Sequence, residues 1–320
     1  MRYCQILREA PFLIGKAWRV WRREGARQLL RRARWYLAGE TLQKAFKQYG
    51  PWVTRFTIEG VHYGGSYDAA NDSRLALFLR KVSIEGKRVL ELGPLEGGHT
   101  LALARAGAGE IVAVEGRPDN LRRCLLIKDL FGLENVTFLL GDIRDVTRHT
   151  HGEFDIAIAV GVLYHLPEPD SLLAHLVEIA PLTLLWTHVA DEEHPEKAAE
   201  GKLVSQYGTF RGKVLAEDTT HALSAIDRDV IWLYRQDLLD LIRAVGFREC
   251  RILEEWAANS SPGPSVLALL SARSLPPGLR PGNPMEDEQF FRNRQGSPGE
   301  YRDPYCNPNL DLRHPFTIRV

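Results

Sequence analysis

The sequence predicts an α/β fold: a doubly wound, mostly parallel sheet of seven strands that ends in an antiparallel hairpin, preceded by a helical extension. Three observations predict it. A short apolar run, Val89 to Leu92, opens directly into a Gly-rich turn, Gly93 to Gly98, and a helical pattern begins at Thr100. Short apolar runs then alternate with helical segments as far as Trp186, which implies parallel strands with helices on both faces. The conspicuous polar residues stand at the ends of the apolar runs: Glu91 with Gly93, Glu115, Asp142, Tyr164 with His165, and His188. Sheets of this class bind ligands at those ends.

Residues 1–50 read as a basic amphipathic extension. They hold twelve Lys and Arg against three acids, a net of +9 in a chain whose formal charge is zero. Ile14, Trp18 and Trp21, and then Leu30, Ala33 and Leu37, make two apolar helical stripes. Such a segment suits an anionic membrane surface, RNA phosphates, or docking of its stripes on the main body; all three stay open here. Residues 51–85 form a lead-in or cap segment.

The sheet is read over 86–272. After the first strand, Leu101–Ala106 is helical and Ile111–Glu115 a strand. Pro118 opens a helix to about Phe131, as proline suits a first helical turn. Val136–Leu140 and Phe154–Val160 are strands, Asp170 caps a helix to Ile179, and Leu182–Trp186 is a strand. Residues 195–234 show no clean period and stand as an acceptor-covering insertion over about 190–234. Residues 236–245 are an amphipathic helix stopped by Gly246, and Phe247–Leu253 with Ser265–Leu270 form the closing hairpin. Residues 273–320 are a Pro/Gly-rich irregular tail.

Composition excludes some classes. No apolar run approaches the ~20 residues of a membrane span, and no signal-peptide pattern opens the chain. Cys4, Cys124, Cys250 and Cys306 are scattered without a CxxC pair, so a reduced, cytoplasmic protein without a zinc site is expected. Peripheral contact with the inner face of a membrane through residues 1–50 is the variant of that location. Nothing in the pattern points to DNA or to an oligomeric state.

The strand, Gly-rich loop and helix N-terminus around Gly93 present backbone N–H groups to a ligand, and an acid at the end of the second strand, Glu115, suits a ribose diol. That is an adenosine-type site. A pyrophosphate ligand would favour GxGxxG, but Leu95 replaces the middle glycine. Glu91 and Glu96 are unwelcome beside a pyrophosphate and acceptable beside a sulfonium and an ammonium. S-adenosylmethionine therefore fits better than NAD.

VLELGPLEGG (89–98), VAVEGRPDN (112–120), GDI (141–143) and FDIAIAVGVLYHL (154–166) resemble, in order, four motifs of the class I S-adenosylmethionine-dependent methyltransferases, whose fold is Rossmann-like. The resemblance spans roughly Gly86–Ala272. GVLYHL with the aromatic lead-in resembles the subgroup around the tRNA wobble-uridine methyltransferases. EGGHT, GVLYHLPEP and WTH resemble methyltransferases associated with cell-surface sugar chemistry. The resemblance implies that Glu91, Gly93 and Pro94 shape the methionine pocket, with Gly97 and Gly98 allowing close backbone approach. It implies that Glu115 and Gly116 hold the ribose, Asp142 and Ile143 the adenine, and that Gly161 lies under the methionyl part. Leu95 is the departure, narrowing the pocket or tilting the loop.

Methyl transfer from a sulfonium is an in-line displacement, so positioning is the main contribution. An alcohol acceptor must also lose a proton. His165, then His188, with Tyr164 beside them, are the catalytic candidates. His188 to His194 gathers two histidines and three acids, but its spacing fits no zinc signature, and no metal is expected. The expected function is O-methylation of a small-molecule or glycan hydroxyl. A tRNA-modifying methyltransferase and a non-catalytic S-adenosylmethionine-binding scaffold are the alternatives.

Overall fold

Val89 to Leu92 and its counterparts become the interior strands of one sheet. The computed structural model describes residues 42–58, 60–191, 198–257 and 263–273. The basic stripes of residues 1–41, most of the tail and the acids and histidine at 192–194 lie outside the described residues.

The described residues open with α1 (Leu42–Gln48), a hairpin of β1 (Arg55–Ile58) and β2 (Val61–Gly64), and α2 (Ser73–Lys81). The main alternation follows: β3 (Arg88–Leu92), α3 (Gly98–Arg105), β4 (Glu110–Glu115), α4 (Pro118–Phe131), β5 (Val136–Leu140), a short α5 (Arg148–His151), β6 (Ile156–Val160), α6 (Pro169–Ile179) and β7 (Leu182–His188). An insertion of β8 (Ala199–Ser205), β9 (Gly208–Ala216) and β10 (Asp229–Leu233) precedes α7 (Arg235–Ala244), β11 (Glu249–Trp256) and β12 (Ser265–Ser271).

The seven-stranded sheet has the order β11-β12-β7-β6-β3-β4-β5. β7, β6, β3, β4 and β5 run parallel, and β12 pairs antiparallel with both β7 and β11, as the sequence predicts. Alternate residues of each strand face opposite sides, and both sides are covered. Val89, Ile111, Ala113, Ile158 and Leu184 pack toward α1–α4. Leu90, Leu92, Val112, Ala157 and Leu185 pack toward α6, α7 and the insertion. Burial on both faces explains why these strands read as continuous apolar runs.

Two local expectations change. Asp170 lies inside the first turn of α6 and Glu168 is the capping position, because Pro169, with its fixed φ and missing N–H, takes the first helical place. Residues 199–233 form a three-stranded antiparallel sheet of order β10-β9-β8. It is clipped to the body by Ile231 N–H donating to Leu166 O and Ala190 N–H to Leu233 O.

The strand order reverses between β3, which leads to β4 and β5, and β6, which leads to β7. The crevice outside the carboxyl ends of β3 and β6 is where such a sheet takes its ligand. Glu91, Gly93 and Gly161 stand there.

Candidate active site

β3 ends in an acid that has no ordinary reason to be inside a protein. Glu91 is buried; its Oε2 accepts from Thr100 Oγ1 at 2.6 Å, and its Oε1 has no partner. Burial pushes its carboxyl up to about 7, against the opposing effects of His99 and Thr100. A buried carboxylate oxygen left unsatisfied is costly, and a ligand ammonium or sulfonium is the group that would satisfy it. A pyrophosphate would worsen the cost.

The loop after Glu91 has its amides largely engaged. Gly93 N–H donates to Val114 O, Gly97 N–H to Pro94 O, and Leu95 N–H to Glu115 Oε2 at 3.1 Å. Three loop donors that an anion would need are thus used within the chain. Leu95 takes a left-handed φ of +57°, a conformation few non-glycine residues adopt, and its bond to Glu115 holds it there. The loop thus turns back on Glu115.

Glu115 is buried at the end of β4, where burial raises its carboxyl above the usual range. Besides Leu95, it accepts from Arg117 N–H at 2.9 Å and more weakly from Asn120 Nδ2 at 3.4 Å, both on Oε1. A carboxylate has about four acceptor positions, so room remains for a ribose hydroxyl. Asp142, at the end of β5, caps the short turn at 143–145 by accepting from Arg144 N–H at 2.9 Å, and it also pairs with the Arg144 guanidinium. Ile143 opens that turn.

One expectation about the loop is corrected. Glu96 does not face the ligand side: it is buried and accepts from Thr54 N–H at 2.6 Å and Val53 N–H at 3.0 Å, 3.7 Å from Arg123. It ties the lead-in segment to the loop, so only Glu91 carries the charge argument against a pyrophosphate. A Cβ on Gly98 would stand 2.5 Å from Ala69 Cβ, so this glycine also serves the packing of residues 69–71 on α3.

The catalytic candidates come together. Tyr164 and His165 lie in the turn after β6, with ring centroids 4.1 Å apart. His188, at the end of β7, meets Tyr164 edge-on at 4.5 Å and stacks on Trp232 of β10 at 4.7 Å with only 6° between planes. Trp186 closes the group against Tyr164 and His188, and the Arg74 guanidinium sits 4.2 Å over Trp186. Gly161 adjoins Tyr164 and Trp186.

The two histidines differ. His165 Nδ1 lies 2.7 Å from Glu217 Oε1. A carboxylate only accepts, so Nδ1 carries a proton. Burial opposes the Glu217 charge, but His165 and the Ala225 N–H bring that carboxyl below its usual range. His188 Nδ1 donates to the Pro264 carbonyl at 3.3 Å, and burial lowers its pKa to about 4. Tyr164 is pushed well above the ordinary phenol range, chiefly by burial, so its hydroxyl stays protonated. Of the two histidines, His165 is the one that meets a carboxylate.

Sequence reasoning missed a second cluster. Asp72 is buried, pairs with Arg74, accepts from the Tyr67 hydroxyl, and lies 2.9 Å from His99 Nε2. Glu217 and Trp232 were visible only as scattered residues. Each lies far along the chain from its partners, and no period marks them.

A methyltransferase-domain family profile matches residues 84–219. The chain is 32% identical to the N-terminal domain of EvdMO1, crystallised in the presence of S-adenosylhomocysteine and D-fucose. That match covers 72% of this chain and 96% of that one, with a TM-score of 0.62. A ubiquinone biosynthesis O-methyltransferase of Xylella fastidiosa is 31% identical over 116 residues, 34% of this chain and 45% of that protein, so the match spans less than half of that relative. A tRNA U34 carboxymethyltransferase of Cellvibrio japonicus is 24% identical over 253 residues, 77% of this chain and 71% of that protein. Ordered motifs at the strand ends, an unsatisfied acid suited to a cation and a near full-length match to a domain crystallised with S-adenosylhomocysteine agree: the chain belongs to the S-adenosylmethionine-dependent methyltransferases.

Proposed function

We propose that this chain methylates a hydroxyl of a sugar or sugar-bearing small molecule, with S-adenosylmethionine as donor. The observation that carries the reading is the His165–Glu217 pair beside an aromatic group at the carboxyl end of β6. S-adenosylmethionine supplies an activated methyl. Glu91 offers the unsatisfied carboxylate oxygen to the donor's cationic end, and Glu115 offers its remaining acceptor position to the ribose. His165 Nε2 takes the acceptor's proton, Glu217 stabilising the imidazolium that forms, in the manner of any acid-held histidine base. Trp232 and His188, stacked on one another and only partly buried, offer an aromatic surface that suits the C–H face of a sugar ring. The D-fucose named with the EvdMO1 domain supports a sugar acceptor.

The length of the match to the tRNA U34 carboxymethyltransferase favours tRNA as the second reading. Radiolabelled S-adenosylmethionine offered with a panel of deoxysugar conjugates, phenols and tRNA separates them. Label in a sugar methyl ether is expected. Label confined to RNA, weakening steeply with salt, establishes the second reading, and label in no fraction at all leaves a binding scaffold. Replacing His165 with Ala should cut turnover about 10²–10⁴-fold with S-adenosylhomocysteine affinity changed less than about twofold; full turnover in that variant rules His165 out as the base.

A further inference from the structure

The connection between β9 and β10 runs from Glu217 to Arg228, and its contacts join the two halves of the site. Arg117 donates its guanidinium to three carbonyls of this segment: Nη1 to Thr219 O at 2.8 Å, and Nη2 to Ser224 O at 3.0 Å and Ala225 O at 2.7 Å. Its own N–H is on the ribose acid Glu115. Asn120 bridges the same gap, with Nδ2 3.4 Å from Glu115 Oε1 and 3.3 Å from Ala222 O. Asp227, near the far end, pairs with Arg144 Nη1 at 3.1 Å, and Arg144 holds Asp142. Ile226 Cδ1 lies 2.2 Å from where a Cβ on Gly116 would stand, a place only glycine leaves free. The segment is therefore fastened to residues at the ends of β4 and β5, where the adenosine of the proposed donor would lie.

Its first residue faces the chemistry. Glu217 Oε1 holds His165, and Glu217 Oε2 accepts from Ala225 N–H at 2.6 Å. Ala225 is thus gripped from both sides, its carbonyl by Arg117 and its N–H by Glu217.

We propose that residues 217–227 are a strap through which adenosine binding positions the base, with Arg117 acting on His165 by way of Ala225 and Glu217. The base half of the proposal rests on the reading of His165 given above. Arg117 and Glu217 are positioning residues in this scheme, since neither needs to touch the reacting atoms. The other titratable groups at His165 are Tyr164 and His188, and Arg74 acts on both of those, so the histidine's environment is set by more than Glu217 and a pH profile must be read as a difference between variants.

Two measurements test it. Amide exchange over residues 217–228 is followed with and without S-adenosylhomocysteine in wild type, Arg117→Lys and Arg117→Ala. The ligand should slow exchange of the segment at least tenfold in wild type, partly in Arg117→Lys and not in Arg117→Ala. Equal slowing in all three overturns the link to adenosine. A double-mutant cycle then combines Arg117→Ala with Glu217→Gln. Each should lower kcat more than it raises KM and move the acidic limb of the kcat profile to lower pH, and the double variant should be little worse than Glu217→Gln alone, as expected for residues acting in series. Effects that multiply, or a limb that moves only for Glu217→Gln, overturn the link to the base. The exchange measurement stands whatever the role of His165, so failure of the strap and failure of the base reading are distinguishable.

Discussion

The Glu91 carboxyl, raised by burial to about 7, binds a proton in the folded chain between its ordinary value near 4.5 and 7, where the unfolded chain does not. Stability attributable to this group therefore falls as pH rises through that window, by roughly 3 kcal/mol in all. Glu91→Gln should melt higher than wild type at pH 8, with a gain that shrinks towards pH 5. The same change removes a charged acceptor, and S-adenosylhomocysteine should bind about 10–100-fold more weakly, the range for a charge-assisted hydrogen bond of 1.5–3 kcal/mol. Melting curves at the two pH values and calorimetric titration check both halves; a variant that melts lower at pH 8 contradicts the account. Glu91 was legible because an acid interrupts an apolar run. Glu96, five residues on, looked equivalent, and only the tertiary contact with Val53 and Thr54 reveals that it faces the other way.

At the level of elements, α2 and α3 are joined through Asp72. Its Oδ1 accepts from Arg74 N–H at 2.8 Å and so caps α2, while its Oδ2 meets Arg74, Tyr67 and His99 in the first turn of α3. Burial opposes the charge, yet Arg74 and His99 hold this carboxyl far below the usual range. Asp72→Ala loses a cap worth about 1 kcal/mol and leaves the buried Arg74 without its acid, which costs about 3–5 kcal/mol. Asp72→Asn keeps the cap acceptor and should fall between. Because the folded pKa is depressed, the contribution is complete above the ordinary carboxylate value near 4 and is lost as pH falls below it. Urea midpoints should separate wild type from Asp72→Ala at pH 7, with the gap beginning to narrow as pH falls below about 4 towards 3; a constant gap would falsify this. Elements differed in how plainly the sequence announced them. β3, β4 and β6 are buried on both faces and read as apolar runs, whereas β8, AEGKLVS, and β9, with Gly208 and Gly212 inside it, have one face outward and residues of low strand propensity. Their pairing partners, not their own pattern, make them strands.

For the whole molecule, the order of the strands decides which ligand the site accepts. The reversal between β3 and β6 sets Glu91, Glu115 and Gly161 around one crevice, and local motifs sufficed to foresee that. Glu217 needs a longer reach: it arrives at His165 from 52 residues away, on an insertion whose register no motif announces, so the residues at the ends of β3, β4 and β6 were readable and the partners that the insertion brings to them were not. The crevice as assembled discriminates between adenosine ligands. Gly93, Leu95 and Gly97 have committed their N–H groups inside the chain, and Glu91 adds negative charge, so a pyrophosphate finds too few donors and meets a repulsive acid. An adenosyl sulfur compound with an ammonium group meets the reverse. S-adenosylhomocysteine at about 100 times its Kd should stabilise the fold by ~2.7 kcal/mol. For a domain of this size that is a melting shift of roughly 5–10 °C. NAD at the same concentration should shift it by less than about 1 °C, on the same scale. Glu115→Ala should abolish the S-adenosylhomocysteine shift, because it removes the acid proposed to hold the ribose and releases both Leu95 and Arg117 at once. An equal shift with NAD would mean that the loop amides reorganise to cradle phosphate, and the charge argument built on Glu91 would then fail.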